Sequence, residues 1–421
     1  MNKLRVLRSS NILLLLCGYQ LHWFDARSQN YRISLAGALN VFILGCFYAG
    51  CFAQHFQPSA MLKTLLDVSP FLHRLTRLQL LLSVKVFGYA IYASVRTVGV
   101  ANALTESLPM KTSSNSSKKC FLEELIAHAL LYSTHLVLFG FGLYIGYEME
   151  FKLPPLQDAM IGFALFLPHL VIAGALRFYC TLAWLTRSRL EQLDSEVQEL
   201  LKQRTELEAI TSVSVTIEAP SSAPPASSFM LDNLMNLCQQ LQQLAARFGR
   251  IFSCLQHSLL LLFIINANCL LFGIYSYTYY SSTWHVLFAT RKQRIFYAGN
   301  ACIYACIACD YFCLMVVIFC VDTSRQSFLC SLNTVLQQRN SFTKRIRNVV
   351  KDMRSTLWHN FHFKFLSLWR FDLPNFSLVK FFLQFQVLQL LIIALIVIYH
   401  YLNDAIQLIN DNLDSSSDND D

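Results

Sequence analysis

Charged residues are scarce in this sequence. Asp, Glu, Lys and Arg make up 14% of its 421 residues, whereas a soluble protein carries roughly 25%. Hydrophobic residues make up 54%, and the mean hydropathy is +0.40. This balance excludes an ordinary soluble domain and indicates that most of the chain lies in a lipid bilayer. The net charge of +8 therefore does not indicate a nucleic-acid partner, and we expect it to report loop charge facing the cytoplasm.

Motifs of catalysis are also lacking. The sequence contains neither a glycine-rich loop that would cradle phosphate nor a Gly-x-Ser-x-Gly turn. We therefore expect no enzyme activity and no cofactor. The 14 cysteines fall mostly within apolar stretches, so a disulfide framework is not expected either.

Two groups of residues could in principle bind a metal. Five cysteines share one face of a predicted helix: Cys302, Cys306, Cys309, Cys313 and Cys320. Soft-metal ligation and the packing of small side chains against a neighbouring helix both fit this face. No complementary ligand set is evident, which favours packing. His359 and His362 lack an acidic partner at a suitable offset, and we assign them to a helix bundle or an interface.

Seven stretches are long and apolar enough to span a bilayer, which needs about 20 residues each. They are 34–54, 78–101, 123–147, 158–184, 250–280, 296–321 and 379–408. Lys85, Arg96, Arg177 and Asp310 lie inside them, and charges there are functional candidates. Asp310 is expected to neutralise Arg177 or Arg96, as a structural ion pair or as a coupling element.

The distribution of Lys and Arg predicts the orientation. Most lie in segments that share one side when the N-terminus is cytoplasmic, including the run from Lys344 to Arg354. Seven spans then place the C-terminus outside. The predicted order is a cytoplasmic or interfacial segment 1–33, spans one to four in 34–184, cytoplasmic helices in 185–249 with a flexible linker 211–228, spans five and six in 250–321, a cytoplasmic helical region 322–378, span seven in 379–408 and an acidic extracellular tail 409–421.

The cytoplasmic segments contain three amphipathic helical stripes. Apolar residues recur at helical spacing around Leu190–Leu207, Met230–Phe248 and Phe342–Leu357. Solvated helices of this kind need to bury their apolar faces. We therefore expect one shared cytoplasmic bundle, formed within a subunit or between subunits.

The last span carries polar residues at helical spacing within an apolar run. Gln386, Gln389, His400, Asn403 and Gln407 recur together with Ile393 and Ile396, and spacings of three and four place them on one face. Such a stripe should face protein or water rather than lipid. Two interpretations remain open at this point: a helix packed inside a bundle, and a helix that lines a pore.

Aromatic and polar side chains are frequent in the predicted outer halves of spans two to six. A pocket for a small molecule would use such residues, and an interfacial aromatic belt would use them too. The candidates are Phe87, His135, Phe139, Tyr144, Phe163, His169, Asn268, Tyr275, Tyr279 and Tyr304.

The end of the last span resembles the terminal signature of insect gustatory receptors, a Thr-Tyr pair, five mostly apolar residues and Gln-Phe. Tyr401 and Gln407 match at the right separation, whereas His400 replaces the Thr and Leu408 replaces the Phe. Asn403 and Asp404 interrupt the apolar middle. The length, the seven spans and the cytoplasmic helices agree with this family. The chain therefore resembles a divergent gustatory receptor.

The resemblance implies an all-α plasma-membrane protein that forms a homotetramer, or a heteromer with related receptors. It implies a ligand-gated cation channel in which a small-molecule tastant binds the outer halves of helices two to six. The seventh helices would then surround the pore, with Tyr401, Asp404, Gln407 and Leu408 near its outer mouth and gate. A G-protein-coupled receptor, an odorant-receptor-type channel subunit and a transporter are the alternatives.

Overall fold

Eight α-helices dominate the described part of the chain. The computed structural model describes residues 22–25, 27–28, 30–57, 69–106, 117–149, 156–213, 226–279, 291–337, 344–361, 364–365, 369–370 and 378–417. The helices are α1 (Leu35–Ala53), α2 (Pro70–Glu106), α3 (Ser117–Glu148), α4 (Leu156–Val213), α5 (Ala226–Tyr279), α6 (Arg291–Gln337), α7 (Lys344–Asn360) and α8 (Leu378–Ser417).

Seven of these helices coincide with the seven predicted spans, and α7 is the short amphipathic one. Among the described residues, six segments are long and apolar enough to cross a membrane: Leu35–Phe56, Pro70–Glu106, Leu156–Gln203, Met230–Tyr275, Tyr297–Gln337 and Ile393–Asn410. They belong to every long helix except α3. A crossing by α3, and with it the count of seven, stays a prediction.

Helix length separates the membrane part of the fold from the remainder. With 58 residues, α4 is about 87 Å long at 1.5 Å per residue, whereas the hydrocarbon core is about 30 Å thick. The helices α5 and α6 have 54 and 47 residues and also exceed that thickness. Each of the three therefore continues well beyond a bilayer.

These extensions pack with α7 into one bundle, which we call the α7 bundle. It contains α4 after residue 185, α5 before residue 250, α6 after residue 322 and all of α7. Its core includes Leu190, Leu193, Val197, Leu201, Leu234, Leu237, Leu241, Leu244, Phe248, Phe328, Leu332, Ile346, Val350, Met353 and Leu357. The predicted apolar stripes thus cover one another within a single chain, and they continue without a break into the core of the membrane part.

Two short β-hairpins depart from the all-α expectation. Strand β1 (His22–Asp25) pairs antiparallel with β2 (Asn30–Ile33), and β3 (Lys364–Phe365) pairs antiparallel with β4 (Trp369–Arg370). Asn102 of α2 fixes the first hairpin, because its side chain accepts from the Tyr31 amide over 2.6 Å and donates to the Tyr31 carbonyl over 3.1 Å. Part of the segment 1–33 is therefore folded against α2.

The complete set of helices, which includes the α7 bundle, has two ends. The Glu148 end holds the last turn of α3 and the first turn of α4, together with the start of α2 and the end of α5. The α7 bundle forms the opposite end. Phe71 of α2 contacts Tyr275 of α5 with ring centroids 4.6 Å apart, and Phe71 also packs against His400 of α8. The helix α8 therefore joins the others at the Glu148 end.

Candidate functional site

Three buried polar side chains meet between α2, α4 and α5. Gln79 Nε2 lies 3.2 Å from His169 Nε2, and Asn268 Nδ2 donates to Gln79 Oε1 over 2.9 Å and to the Leu75 carbonyl over 3.2 Å. All three side chains are buried. Because unpaired polar groups are costly in such surroundings, these contacts tie the three helices to one another. We call Gln79, His169 and Asn268 the polar triad.

The polar triad lies in the half of the bundle nearest the Glu148 end. Asn268 precedes Tyr275 by seven residues, or about 10 Å along the helix axis. This is the half in which the sequence predicts a ligand pocket. His169 and Asn268 are among the predicted pocket residues, and Gln79 is not. A neutral amide inside the apolar run of α2 could have identified Gln79, since polar groups in a span need a reason.

A second contact joins α5 to α8. Tyr275 donates a hydrogen bond from its hydroxyl to Asp404 Oδ2 over 2.8 Å. His400, one turn earlier on α8, packs against Phe71 of α2 with ring centroids 4.3 Å apart. Ile393 and Val397 continue this contact into a small apolar cluster with Leu72, Leu75, Ile161 and Phe272. We call this contact the α5–α8 junction.

The junction divides the polar stripe of α8 between two environments. Ile393 and His400 face the remainder of the same chain, whereas Ile396, Asn403 and Gln407 are exposed. All five residues fall within one arc of the helix circumference. One edge of this arc packs against the same chain, and the other edge is exposed. The packed positions are 393, 397, 400 and 404, which again follow a spacing of four and three.

The other predicted pore residues lie on the exposed surface of α8 or outside the described residues. Tyr401 is 53% exposed and Leu408 is 65% exposed. The backbone of Gln386 and Gln389 belongs to α8, but their side chains lie outside the described part. Large apolar residues cover the opposite surface of α8, including Leu391, Leu395, Ile398, Leu402, Ile406 and Ile409.

An ion pair lies deeper in the bundle, between α4 and α6. Arg177 Nη2 is 2.9 Å from Asp310 Oδ1, and both side chains are almost completely buried. Thr134 of α3 joins them, since it accepts from Arg177 over 2.9 Å and donates to Asp310 over 2.9 Å. Ser133 accepts from the same guanidinium over 3.0 Å. The expected neutralisation of Asp310 is thus found with Arg177.

Arg96, the alternative partner, is exposed and lies 3.4 Å from the hydroxyl of Tyr92 on its own helix. Lys85 is exposed too. These two cations therefore lie on the surface of this chain, and Arg177 is the one that the bundle encloses. Removing either charge of a buried pair leaves the other uncompensated, so the pair fixes the relative position of α4 and α6.

The Glu148 end is closed by a charged contact between α3 and α6. Arg294 Nη2 lies 3.0 Å from Glu148 Oε2, and Tyr144 donates to Glu148 Oε1 over 3.1 Å. Glu148 lies just beyond the predicted third span. The hydrogen bond that Arg294 donates is the main reason why the pKa of the Glu148 carboxyl is below the usual glutamate value. Of these three residues, the pocket prediction includes Tyr144.

The remaining predicted pocket residues are dispersed. Phe87 stacks on Tyr48 of α1 at 5.1 Å, and Phe163 meets Phe47 of α1 edge-on at 4.8 Å. Phe139 and Tyr304 are exposed, and His135, the residue after Thr134 on α3, is half-buried. The side chain of Tyr279 lies outside the described residues. The structure therefore brings together His169 and Asn268, and places Tyr275 at the junction.

The cysteine face of α6 packs inward. Cys302, Cys306 and Cys313 are buried, and Cys309 and Cys320 are half-buried. Among the described residues, no group of three or more His, Cys, Asp or Glu side chains is placed to hold a metal ion. His359 is exposed at the end of α7, and His362 lies outside the described part. Packing between helices accounts for the cysteine face.

Long apolar helices tied together by buried polar contacts define a multi-pass α-helical membrane protein. The sequence matches the family model of the 7tm chemosensory receptors over residues 7–341. That match covers well over half of the chain, and the protein therefore belongs to the 7tm chemosensory receptor family. The matched residues extend from the N-terminal segment to the end of α6. No curated protein matches the chain.

Proposed function

We propose that this receptor is a taste receptor of the plasma membrane that acts as a ligand-gated, non-selective cation channel. A small-molecule tastant would bind near the polar triad, in the half of α2–α6 that ends at Glu148. The α8 helices of several subunits would surround the pore. The observation that carries this proposal is the hydrogen bond between Tyr275 and Asp404, because it connects a helix of the triad directly to α8.

The mechanism is a shift between closed and open populations. A ligand that binds the open arrangement better raises the open population by its difference in affinity for the two states. Asn268 and Tyr275 lie on the same face of α5, two turns apart. A displacement of α5 at the polar triad would therefore reach α8 through the α5–α8 junction.

The exposed edge of the α8 stripe is the part that faces the pore in this proposal. Ile396, Asn403 and Gln407 recur along that edge, and helical spacing extends the row to position 389. Such residues offer a permeating ion polar groups between apolar ones. Ile393 and His400 then hold α8 against its own subunit rather than line the channel. Tyr401 and Leu408, on the other edge of the packed face, are the candidates for the gate.

Assembly follows from the surface of α8. One face of this helix is covered within the chain, and its opposite surface carries large exposed apolar residues. Lipid and neighbouring subunits are both suitable partners for such a surface. A central pore needs several copies of α8, and the resemblance to gustatory receptors favours four. Related receptors could replace some of these copies in a heteromer.

Whole-cell recording in heterologous cells tests the function. A panel of tastants should evoke a fast inward current that persists when G-protein signalling is blocked. Replacing external Na⁺ and K⁺ with a large organic cation should abolish the inward current, and replacing Cl⁻ should leave it unchanged. Surface labelling of an extracellular tag has to confirm that the protein reached the membrane.

The topology test separates this proposal from a G-protein-coupled receptor. We expect an epitope at the C-terminus to bind antibody on intact cells, because seven spans from a cytoplasmic start end outside. Insertion of a glycosylation site after Phe151, between α3 and α4, should add a glycan, whereas the sequons at Asn115 and Asn375 should carry none. A C-terminus that is accessible only after permeabilisation would contradict the channel topology.

A further inference from the structure

The exposed side of α7 carries a row of basic side chains. This helix contains five Lys and Arg residues and one acidic residue, Asp352. Four of the cations and a tryptophan recur at spacings of three and four, which places them along one side of the helix: Lys344, Arg347, Lys351, Arg354 and Trp358. We call these five residues the basic row. Asp352 lies on the flank of the helix, outside the row.

The basic row is accessible on the surface of the chain. Its cations are exposed except for Arg347, which is half-buried, and Trp358 is 47% exposed. The opposite side of α7 supplies buried residues to the core of the α7 bundle: Ile346, Val350, Met353 and Leu357. The helix therefore has an apolar side that is already covered and a cationic side that is available to a partner.

The last turn of α7 lies level with one boundary of the membrane part. Phe361, the residue after the helix, contacts Phe248 of α5 with ring centroids 5.6 Å apart. Phe248 lies two residues before the predicted fifth span, and the sequence of α5 contains no Lys, Arg, Asp or Glu after Arg250. Trp358 precedes Phe361 by three residues, or about 4.5 Å along a helix axis. Trp358 is therefore at the depth where tryptophan is enriched in membrane proteins.

The chain around the membrane end of α7 is basic as well. On α5, Arg250 is exposed and Arg247 is half-buried, and the two flank Phe248 in sequence. Between α7 and α8, the β3–β4 hairpin places Lys364 in register with Arg370. In the predicted orientation this boundary is the cytoplasmic one. The inner leaflet there contains anionic lipids and has a negative surface potential.

We propose that the basic row is a binding site for anionic phospholipid headgroups of the cytoplasmic leaflet, with polyphosphoinositides as the preferred class. Clusters of cations on an amphipathic helix next to a span are typical of proteins that bind these lipids. The Trp358 ring lies at the interface, and the Arg354 guanidinium one turn away binds a phosphate. Lys351, further from the membrane, meets the phosphates on the inositol ring, which project beyond ordinary headgroups.

The chemistry of the row favours lipid over the other possible occupants. Calmodulin binds a basic helix through its apolar side, but Met353 and Leu357 on that side of α7 are fully buried. A second copy of the same face would bring like charges together, which is unfavourable. A soluble polyphosphate shares the charge of a headgroup, but it makes no use of a tryptophan at the membrane boundary.

The lipid site is independent of the channel proposal. It requires the basic row and a bilayer with anionic lipid, and its measurement involves no current. In nanodiscs both leaflets contain the same lipid, so binding can be measured whichever side of the membrane α7 occupies. Lipid binding by a receptor without ligand-evoked current would support the site and contradict the channel. A working channel without lipid binding would do the reverse.

The binding test uses the purified full-length receptor in detergent, titrated with dioctanoyl phosphatidylinositol bisphosphate and followed by native mass spectrometry. The double variant Lys351→Gln/Arg354→Gln should bind about twentyfold more weakly, because each cation near an anionic surface contributes about fivefold. The matched control is Lys202→Gln/Arg345→Gln, which removes two exposed cations outside the row and should leave the affinity nearly unchanged. Equal weakening in both double variants would overturn the proposal.

Two further variants separate a lipid site from a loss of folding and from a soluble ligand. Lys351→Arg/Arg354→Lys keeps both charges and should bind like wild type. Trp358→Ala should weaken binding of the lipid but not of inositol trisphosphate, which has no acyl chains. Wild-type affinity for inositol trisphosphate equal to that for the lipid would identify a soluble polyphosphate site and contradict the lipid assignment.

Cross-linking then locates the site in the assembled receptor. A photoactivatable phosphatidylinositol bisphosphate in phosphatidylcholine nanodiscs should label the α7 peptide that contains Arg354 and Trp358. It should not label residues 194–203 of α4, which lie further from the membrane, and excess unlabelled lipid should compete. An unlabelled α7 would show that a neighbouring subunit covers the row, which contradicts the proposal. Calmodulin binding that depends on the row, in place of lipid labelling, would also contradict it.

Discussion

The hydroxyl of Tyr275 donates a hydrogen bond to the Asp404 carboxylate over 2.8 Å, and this bond joins the helix of the polar triad to α8. Around it, Phe71 packs on His400, and Ile393 packs near Leu75. One polar contact with an apolar surround fixes both the rotation and the height of α8 against its own subunit. In the proposed mechanism, the α5–α8 junction is where ligand binding and pore opening are coupled.

Removing this hydrogen bond should shift the ligand response. Tyr275→Phe deletes only the hydroxyl, and a hydrogen bond to a charged group contributes about 1.5–3 kcal/mol. If the bond favours one gating state, the half-maximal ligand concentration should change about tenfold or more. Tyr399→Phe is the matched control, because that tyrosine is exposed on α8, the helix that carries Asp404. Dose–response curves of the whole-cell current provide the measurement.

Asp404→Asn completes the comparison. Its effect and that of Tyr275→Phe should be clearly non-additive in the double variant, because both remove the same contact. Fully additive shifts would show that the two side chains act independently. Changed cation permeability in Asp404→Asn, with unchanged permeability in Tyr275→Phe, would place the carboxylate at the pore as well as at the junction.

Breaking the buried ion pair should destabilise the receptor strongly. Arg177→Met leaves the Asp310 carboxylate buried without its partner, at a cost of about 3–5 kcal/mol. Asp310→Leu should be comparably harmful, and the double variant should recover much of the loss because no uncompensated charge remains. The measurement is the unfolding temperature of each detergent-solubilised variant, with size-exclusion chromatography as the readout of the folded fraction.

Arg96→Gln is the control for the ion pair. Its guanidinium is exposed, so the expected change in unfolding free energy is within about 0.5 kcal/mol. An unfolding temperature in Arg96→Gln as low as that in Arg177→Met would contradict the distinct roles of the two arginines.

The sequence identifies some of these contacts and not others, for physical reasons. A lone carboxylate and a lone guanidinium in apolar helices are so costly that their pairing is expected, and Arg177 and Asp310 do pair. Gln79 is a polar residue within an apolar span, but it carries no charge and is therefore a weaker signal than Arg177 or Asp310, although it holds the polar triad together. Hydrogen bonds between neutral side chains are therefore hard to predict from sequence, although the structure shows them directly.

The polar stripe of α8 shows a different limit. A helical repeat predicts which residues share a face, and Ile393, Ile396 and His400 do lie close together around the helix. The repeat does not specify what lies opposite. A stripe spans a wide arc, and here Ile393 and His400 occupy the packed edge while Ile396 occupies the exposed one. In the α7 bundle, helical spacing likewise places Leu200 in the apolar stripe, but Leu201 is the more buried of the two.

The polar triad should matter for ligand sensitivity. Asn268→Leu has a similar volume but removes the donor to Gln79 Oε1, which leaves a buried acceptor unpaired at a cost of about 1–3 kcal/mol. We expect a higher half-maximal ligand concentration with protein still present at the cell surface. Phe139→Leu should leave the response unchanged, because Phe139 is exposed. The opposite pattern would move the pocket away from the triad.

The contact between Glu148 and Arg294 should make stability depend on pH. Because the pKa of Glu148 is lowered in the folded protein, mainly by its hydrogen bond with Arg294, the folded state binds this proton less readily than the unfolded state does. The stabilisation is therefore complete above the ordinary glutamate pKa and is lost as the pH falls through the lowered folded value.

Glu148→Gln tests this sign. The variant should unfold at a slightly lower temperature than wild type at pH 7, and the difference should shrink as the pH falls below the ordinary glutamate pKa. Arg294→Gln should lower the unfolding temperature at pH 7 in the same direction. A difference between wild type and Glu148→Gln that grows on acidification would have the wrong sign for a lowered pKa.

The most direct measurement of the central claim is electrical recording from the purified receptor alone. Protein reconstituted into a planar bilayer contains no G protein and no cellular channel, so any ligand-evoked current belongs to this chain. We predict unitary cation currents whose open probability rises with ligand and whose ligand dependence shifts in Tyr275→Phe. A ligand that demonstrably binds the reconstituted protein without evoking unitary currents would contradict the channel mechanism.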